Sequence, residues 1–492
     1  MLFNSTIFLF GFLPLVLAGF FLIARLSQRL AAFWLVLASF TFYGWWNPAF
    51  VPLLLISVLI NFPLGVQLAQ RAAAGAGHQG RLLAAGVAFN LLLLGYFKYA
   101  NFLASAAGGL LGTQVGPFDI TLPIGISFFT FTQIAFLVDA SRGAAKEYKL
   151  LHYGLFVSYF PHLVAGPILH HREMMPQFAD PLVYRPRWEN FAVGLSILSI
   201  GLFKKVVIAD ALAPHADAVF SAAAAGKALT LLEAWSGALS YTFQLYFDFS
   251  GYSDMAIGIS RLFGVRLPAN FDSPYKAANI AEFWRRWHMT LSRFLRDYLY
   301  VPLGGSRRGR ARTYVNLLVT MLLGGLWHGA GWTFVIWGAL HGIFLAVHRA
   351  FSGTRAALWL DARGAAGHWI GVLATFLCVV VAWVFFRAES IHVAVAMLRG
   401  MAGRNGIAAA SIPHLLLLGT IAAAVWALPN TQQVMARFQP AIAIYRDIAA
   451  PRSPLLAWTP SLAWLALIGA MGWAAFCMLF SGRESPFLYF NF

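Results

Sequence analysis

Charge is scarce in this sequence. Only 11% of its 492 residues are Asp, Glu, Lys or Arg, against about 25% in soluble domains. Hydrophobic residues make up 60% and the mean hydropathy is +0.70. So few ions cannot solvate the surface of a chain this long, which excludes a soluble enzyme, a disordered chain and a fibrous one. About thirteen spans of ~20 residues would take up about 260 positions, so a bundle of that order fits with polar loops to spare. The sequence therefore predicts an all-α polytopic integral membrane protein. Cysteine is nearly absent. Cys378 and Cys477 both lie in apolar stretches without a neighbour at metal or redox spacing, and read as small packing residues. Also missing are H-E-x-x-H, C-x-x-C, the Walker A run and G-x-S-x-G, so neither a metal site nor an NTPase nor an elbow-type serine hydrolase is signalled.

Acidic residues are fewer still, 18 against 35 Lys and Arg, for a formal charge of +17. In a soluble domain that balance would suggest nucleic acid. Here the arginines are interleaved with membrane-length apolar runs, so the partner they imply is anionic membrane lipid, and no nucleic acid is expected. Residues 1–24 hold no basic residue ahead of their apolar run, whereas Arg25 and Arg29 follow it. That order fits a retained first span, 6–24, starting outside and ending in the cytoplasm. Further spans are expected at 30–46, 50–68, 82–99, 123–138 and 150–169. Arg25 and Arg29, Arg71 and Arg81, then Arg142, Lys146 and Lys149 occupy every second loop, while 47–48 and 101–119 carry no Lys or Arg. After a polar insertion at 170–190, spans are expected at 191–208 and 231–246, two short apolar segments at 314–326 and 331–347, and late spans at 369–386, 413–428 and 456–480. No internal repeat is present, so residues 1–492 read as one domain.

Between 248 and 313 there is no membrane-length apolar run. Residues 282–298 interleave Phe283, Trp287, Phe294 and Leu295 with Arg285, Arg286, Arg293 and Arg296. The pattern predicts a basic amphipathic helix lying at the membrane interface. Arg307, Arg308, Arg310 and Arg312 follow as a cytoplasmic cluster. Such a helix either anchors on anionic lipid or receives a negatively charged substrate.

Polar residues inside apolar segments are costly, and each is a functional candidate. His328 lies between two segments too short to cross alone, beside Gly325, Gly329 and Gly331. It reads either as a general base near neutrality or as a histidine hydrogen-bonded between helices. His288 follows two arginines and is either a docking group or an ordinary face residue. His341 reads as packing, and His162 stays ambiguous. Asp248 and Asp254 flank Ser250-Gly251-Tyr252 at the expected end of a span. They either hydrogen-bond a sugar hydroxyl or, the favoured reading, pair with the arginines of the next helix.

The run Leu245-Tyr246-Phe247-Asp248-Phe249-Ser250-Gly251-Tyr252-Ser253-Asp254-Met255-Ala256, then Phe283-Trp284-Arg285-Arg286-Trp287-His288 and Leu322-Leu323-Gly324-Gly325-Leu326-Trp327-His328-Gly329, resembles the membrane-bound O-acyltransferases. Within them the chain is similar to the bacterial alginate O-acetylation branch. The likeness extends from its core at 244–342 to Gly95-Tyr96-Phe97-Lys98-Tyr99-Ala100-Asn101-Phe102, Leu122-Pro123-Ile124-Gly125-Ile126-Ser127-Phe128 and Ser485-Pro486-Phe487-Leu488-Tyr489-Phe490. The resemblance implies a helical bundle with short or re-entrant helices around a reaction chamber buried in the membrane. It implies that His328 is the catalytic histidine and His288 a second functional one. Trp284, Arg285, Arg286 and Arg296 would then line the donor side, and Asp248, Ser250 and Asp254 would be polar residues of the acceptor side or of the framework.

The activity implied is O-acetyl transfer from a cytoplasmic thioester, most simply acetyl-CoA as co-substrate with no bound cofactor. The acyl group would move toward an extracytoplasmic polysaccharide such as alginate, through a periplasmic acetyltransferase partner, at the bacterial inner membrane. The acceptor stays open among alginate, cellulose, peptidoglycan and other exopolysaccharides. A transporter or flippase, or a non-catalytic scaffold, is the rival reading. Against the transporter stand the absent inverted repeat and the basic mid-chain segment.

Overall fold

A computed structural model describes residues 1–75, 79–113, 116–145, 149–408, 411–445, 447–481 and 487–488. Lys146 of the loop-charge pattern and Ser485, Pro486, Tyr489 and Phe490 of the terminal motif lie outside the described residues. Within them the chain is helical, without a strand, and seven helical stretches are long and apolar enough to cross a membrane. The helices used below are α1 (Gly80–Leu94), α2 (Ile126–Ser141), α3 (Trp188–Leu202), α4 (Leu231–Leu262), α5 (Ile280–Trp284), α6 (Met289–Leu295), α7 (Arg310–His328), α8 (Trp332–Phe351), α9 (Ala365–Arg387), α10 (Ile412–Ala427) and α11 (Leu462–Leu479).

The spine is α4. Its start is fixed by a capping box, in which the Glu233 carboxylate accepts from the Thr230 N–H at 3.0 Å. From Ala234 onward nearly every residue is buried, because other helices surround it. The span expected to end near Ser250-Gly251-Tyr252 does not end there: the helix runs through Asp248 and Asp254 to Leu262. Acidic residues punctuate an apolar run without ending a helix when cations meet them inside the protein.

Antiparallel α3 lies against α4 at backbone distance, and glycine makes this possible. A Cβ on Gly201 would sit 2.7 Å from the Gly251 carbonyl oxygen, and one on Gly258 would sit 2.7 Å from that of Gly194. The pairs Gly194/Gly258 and Gly201/Gly251 are spaced a heptad apart on both helices, which keeps them on one seam. A second glycine seam joins α7 to α8. Cβ atoms on Gly325 and Gly338 would collide with the carbonyls of Phe334 and Met321, and Gly342 faces Leu318. These pairings set α7 and α8 antiparallel, with His328 near the start of α8 and Arg310 near its end. The expectation of two short segments is corrected for α8, whose 20 residues are long and apolar enough to cross a membrane; α7 has 19 residues but is not among those seven stretches. Their polar ends, Arg310 to Thr313 and His348-Arg349, hid that length.

Three further expectations change. The span at 82–99 continues to Leu111, and that at 191–208 continues from Trp188 to Ala224. Each passes through a π-turn, Gly95–Tyr99 and Phe203–Ala209, that carries lysine. The span at 150–169 is broken at Tyr159 into Leu150–Ser158 and Phe160–Leu163.

The largest correction concerns 282–298. It is not one interfacial helix. Helix α5 ends at Trp284, His288 takes a left-handed conformation (φ 42°, ψ 53°), and α6 begins at Met289. Phe283, Trp284, Trp287, His288 and Phe294 are buried in the bundle. The apolar face was read correctly as something to bury, but protein covers it instead of lipid.

Overpacking a glycine seam costs ~1–3 kcal/mol. Gly201→Val is expected to lower the Tm of the detergent-solubilised protein by several degrees. Gly469→Val on α11, where a Cβ meets open space, should leave it unchanged.

Candidate active site

His288 is placed by the break between α5 and α6. The loop is tied to residues 270–272 by two backbone bonds, Met289 N–H to the Asn270 carbonyl and Asp272 N–H to the Arg286 carbonyl, both 2.9 Å. A positive φ at a non-glycine residue is strained and persists only where its surroundings over-determine it. The Asn270 side chain supplies the rest. Its Oδ1 accepts from the Thr290 N–H (3.3 Å) and the Thr290 hydroxyl (3.0 Å), which identifies it as the oxygen. His288 Nδ1, 3.1 Å from the same atom, must therefore carry the proton. The lone pair of the neutral ring then lies on Nε2.

His328 is the last residue of α7 and is buried. Its ring centre lies 6.2 Å from that of His288. Trp327 and Trp337 approach it at 5.0 Å each and Phe386 at 5.3 Å. The final carbonyls of a helix have no intrahelical partner. Here they receive donors from another segment: Lys98 Nζ reaches the oxygens of Trp327 (2.6 Å) and His328 (3.0 Å), and the Tyr99 hydroxyl reaches that of Leu326 (2.7 Å).

Two cavities lie along the α7–α8 hairpin, the smaller of them beside Trp327. A cavity of about 120 Å³ is lined by Lys98, Ser127 and Trp327 together with Trp46, Pro123 and Val164. A second, of about 640 Å³, is lined by Phe344, Val347, His348 and Phe351 of α8, Asn279 and Ile280 at the start of α5, and Thr375 and Cys378 of α9. The glycine seam fixes their relation. Trp327 is at one end of the α7–α8 hairpin and Phe351 at the other, about 25–30 Å along the helices. Between them His341, buried on α8, packs 4.7 Å from Trp337 and 5.1 Å from Trp284.

Of the residues singled out in the sequence, the structure brings His288, His328 and, through Trp337 at 5.9 Å, Trp284 together. It does not gather the arginines. Arg286 pairs with Glu282 (2.6 Å), Arg293 with Glu173, and Arg296 with Asp297 (2.7 Å). Arg285 is exposed. Asp248 and Asp254 are paired, as favoured, but with lysines of the earlier π-turn and not with arginines of a later helix. Lys205 meets Asp248 at 2.6 Å and Lys204 meets Asp254 at 2.7 Å. Ser250 lies 3.5 Å from the same Lys204. Asp254 also accepts from Thr431 and Gln432. Sequence reading missed Lys98, Lys204, Lys205 and Asn270. Lysine inside an apolar run signals the first three; nothing signals Asn270.

Fold and site define a polytopic membrane protein with a buried histidine pair at one end of a helical hairpin. The model of the membrane-bound O-acyltransferase family matches residues 87–388, and the chain belongs to that family; it is an acyltransferase. It is 41% identical to a peptidoglycan O-acetyltransferase of Helicobacter pylori, over 100% of this chain and 98% of that protein. It is 40% identical to a probable alginate O-acetylase AlgI of Azotobacter vinelandii over the whole of both. A teichoic acid D-alanyltransferase of Bacillus subtilis is 27% identical over 56% of this chain and 71% of that protein.

Acid–base groups contribute typically 10²–10⁴-fold to rate. Asn270→Ala frees the His288 tautomer and ring and leaves the Thr290 donors unpaired, so Tm is expected to fall by a few degrees and acyl transfer by on the order of 10²-fold in the protein that remains folded, read by transfer of a radiolabelled acyl group.

Proposed function

We propose that the protein takes an acetyl group from a cytoplasmic thioester, most simply acetyl-CoA, and passes it toward a polysaccharide outside the bacterial inner membrane. One observation carries the reading: cavities open at opposite ends of the α7–α8 hairpin, and the buried His288–His328 pair lies at the end with the smaller one, next to Trp327. The end with the larger cavity is the end with Arg307, Arg308, Arg310, Arg312 and Arg349, all exposed, and basic loops stay in the cytoplasm. Arg285, exposed at the end of α5 whose Asn279 and Ile280 line that cavity, suits the phosphates of a CoA-type donor. The smaller cavity lies at the end whose loops, 47–48 and 101–119, hold no Lys or Arg.

The chemistry follows from the two rings. An acceptor hydroxyl attacks the thioester carbonyl carbon while His328, the histidine assigned by the family motif, takes its proton. The tetrahedral intermediate collapses, the C–S bond breaks, and the proton passes to the departing thiolate. The products are an ester and a free thiol. His288, with its proton committed to Asn270, presents an acceptor at Nε2 and so orients the hydroxyl; a neutral ring in that tautomer does not stabilise an oxyanion.

The cavity beside Trp327, about 120 Å³, is small beside the larger one and suits a small acyl group better than a length of polymer. The acyl group is therefore handed to a periplasmic acetyltransferase partner, which completes transfer to the polysaccharide. The relatives named for peptidoglycan and alginate support a polysaccharide as the final acceptor.

His328→Ala is expected to abolish both thioester cleavage and polymer acetylation, a loss of at least about 10²-fold, in membranes containing normal amounts of folded protein. Survival of both in that variant would contradict the reading. Substrate uptake with acetylation unaffected would point to a transporter instead.

A further inference from the structure

We propose that Lys98 is a positioning residue for His328, and that the π-turn Gly95–Tyr99 exists to deliver it. The inference rests on His328 being the reacting base, and adds how that base is held in place.

Helix α7 ends at the histidine itself. Beyond it the chain turns away through Gly329, Ala330 and Gly331 into α8. A terminal helical turn frays unless its carbonyls are capped, and fraying here would displace the reacting ring directly. Consecutive residues of one π-turn provide the cap, Tyr99 on the Leu326 carbonyl and Lys98 on those of Trp327 and His328. π-turns are rare and cluster at functional sites. This one brings adjacent side chains onto one helix end.

The ammonium has three N–H bonds. Two go to the Trp327 and His328 carbonyls and the third to the Ser127 hydroxyl at 3.3 Å. Its proton inventory is thus consumed by the protein, which separates positioning from direct contact with substrate. A positive charge is also the favourable one at a helix C-terminus. Lys98 Nζ lies 5.9 Å from the centre of the Trp327 ring, which in turn packs on Phe131 at 5.2 Å and Phe128 at 5.4 Å. Lys98 therefore joins α2 and the Gly80–Leu111 stretch to the last turn of α7. Misplacement of a reacting group by about 1 Å can cost 10²-fold in rate, so a tie at this point acts on kcat.

The test separates this role from mere stabilisation. In a Cys378→Ser/Cys477→Ser background, Lys98→Met and Lys98→Cys are expected to lose about 30-fold or more in kcat, with the KM for acetyl-CoA within about twofold. Lys98 lines the 120 Å³ cavity, so a small reagent reaches the introduced thiol. Aminoethylation of Lys98→Cys with 2-bromoethylamine places an ammonium at lysine's reach, and should restore at least about a third of kcat while leaving treated Lys98→Met at its reduced rate.

Retention of kcat within about threefold in Lys98→Met, with His328→Ala inactive, would overturn the inference and spare the reading of His328. Aminoethylation that restores thermal stability but not kcat would overturn it also. If neither Lys98 variant folds, Tyr99→Phe, which removes the Leu326 tie alone, decides: a fall of about fivefold in kcat at unchanged Tm supports the clamp, and an unchanged kcat refutes it.

Discussion

Two aspartates in a helix buried at the centre of the protein have to be neutralised from inside it, and the rest of the structure is arranged around that requirement. Asp248 and Lys205 are 1% and 3% exposed and meet at 2.6 Å. An ion left unpaired at such a place costs several kcal/mol. The π-turn Phe203–Ala209 presents Lys204 and Lys205 together, one to each aspartate, while Asp210 shares Lys205 at 2.8 Å. Thr431 and Gln432 close the shell around Asp254, and the Leu488 N–H donates to Asp248. These bonds set the rotation and depth of α4, and the glycine seam with α3 sets its distance.

With α4 fixed, the site follows by contact. Phe249, one residue beyond Asp248, meets the His288 ring edge-on at 4.8 Å. Ser253, one residue before Asp254, receives the Asn270 amide at 3.4 Å. Asn270 then orders His288, and the α7–α8 hairpin brings His328 to it from the other side. The charged pairs of α4 thus belong to the framework of the chemistry.

The sequence made the class of fold legible because sparse charge over a long apolar chain has one physical solution, a helical membrane bundle. It made both histidines legible through motifs whose neighbours, Trp327-His328-Gly329 and Trp287-His288, are themselves site walls. It did not show the break at 285–288. Aromatic and arginine residues at helical spacing satisfy an interfacial helix equally well, and the bonds to Asn270 and Asp272, remote in sequence, select the bent form. The identity of the partners of Asp248 and Asp254 was hidden for the same reason. Lys204 and Lys205 lie more than 40 residues upstream, in what reads as an ordinary apolar span. Lys98 was in plain view within a family motif, yet its role depends on where α7 ends in space. Long-range pairing of polar groups, invisible to local periodicity, is what the structure adds.

The account stands on the histidine pair being approached from opposite faces of the membrane. Single cysteines at Ser127, beside Trp327, and at Thr375, in the larger cavity, in a background lacking Cys378 and Cys477, test this with a membrane-impermeant maleimide applied to sealed vesicles of either orientation. The cysteine at 127 should be labelled from the extracytoplasmic face alone, and the one at 375 from the cytoplasmic face alone. Labelling of both from the same face would contradict the account.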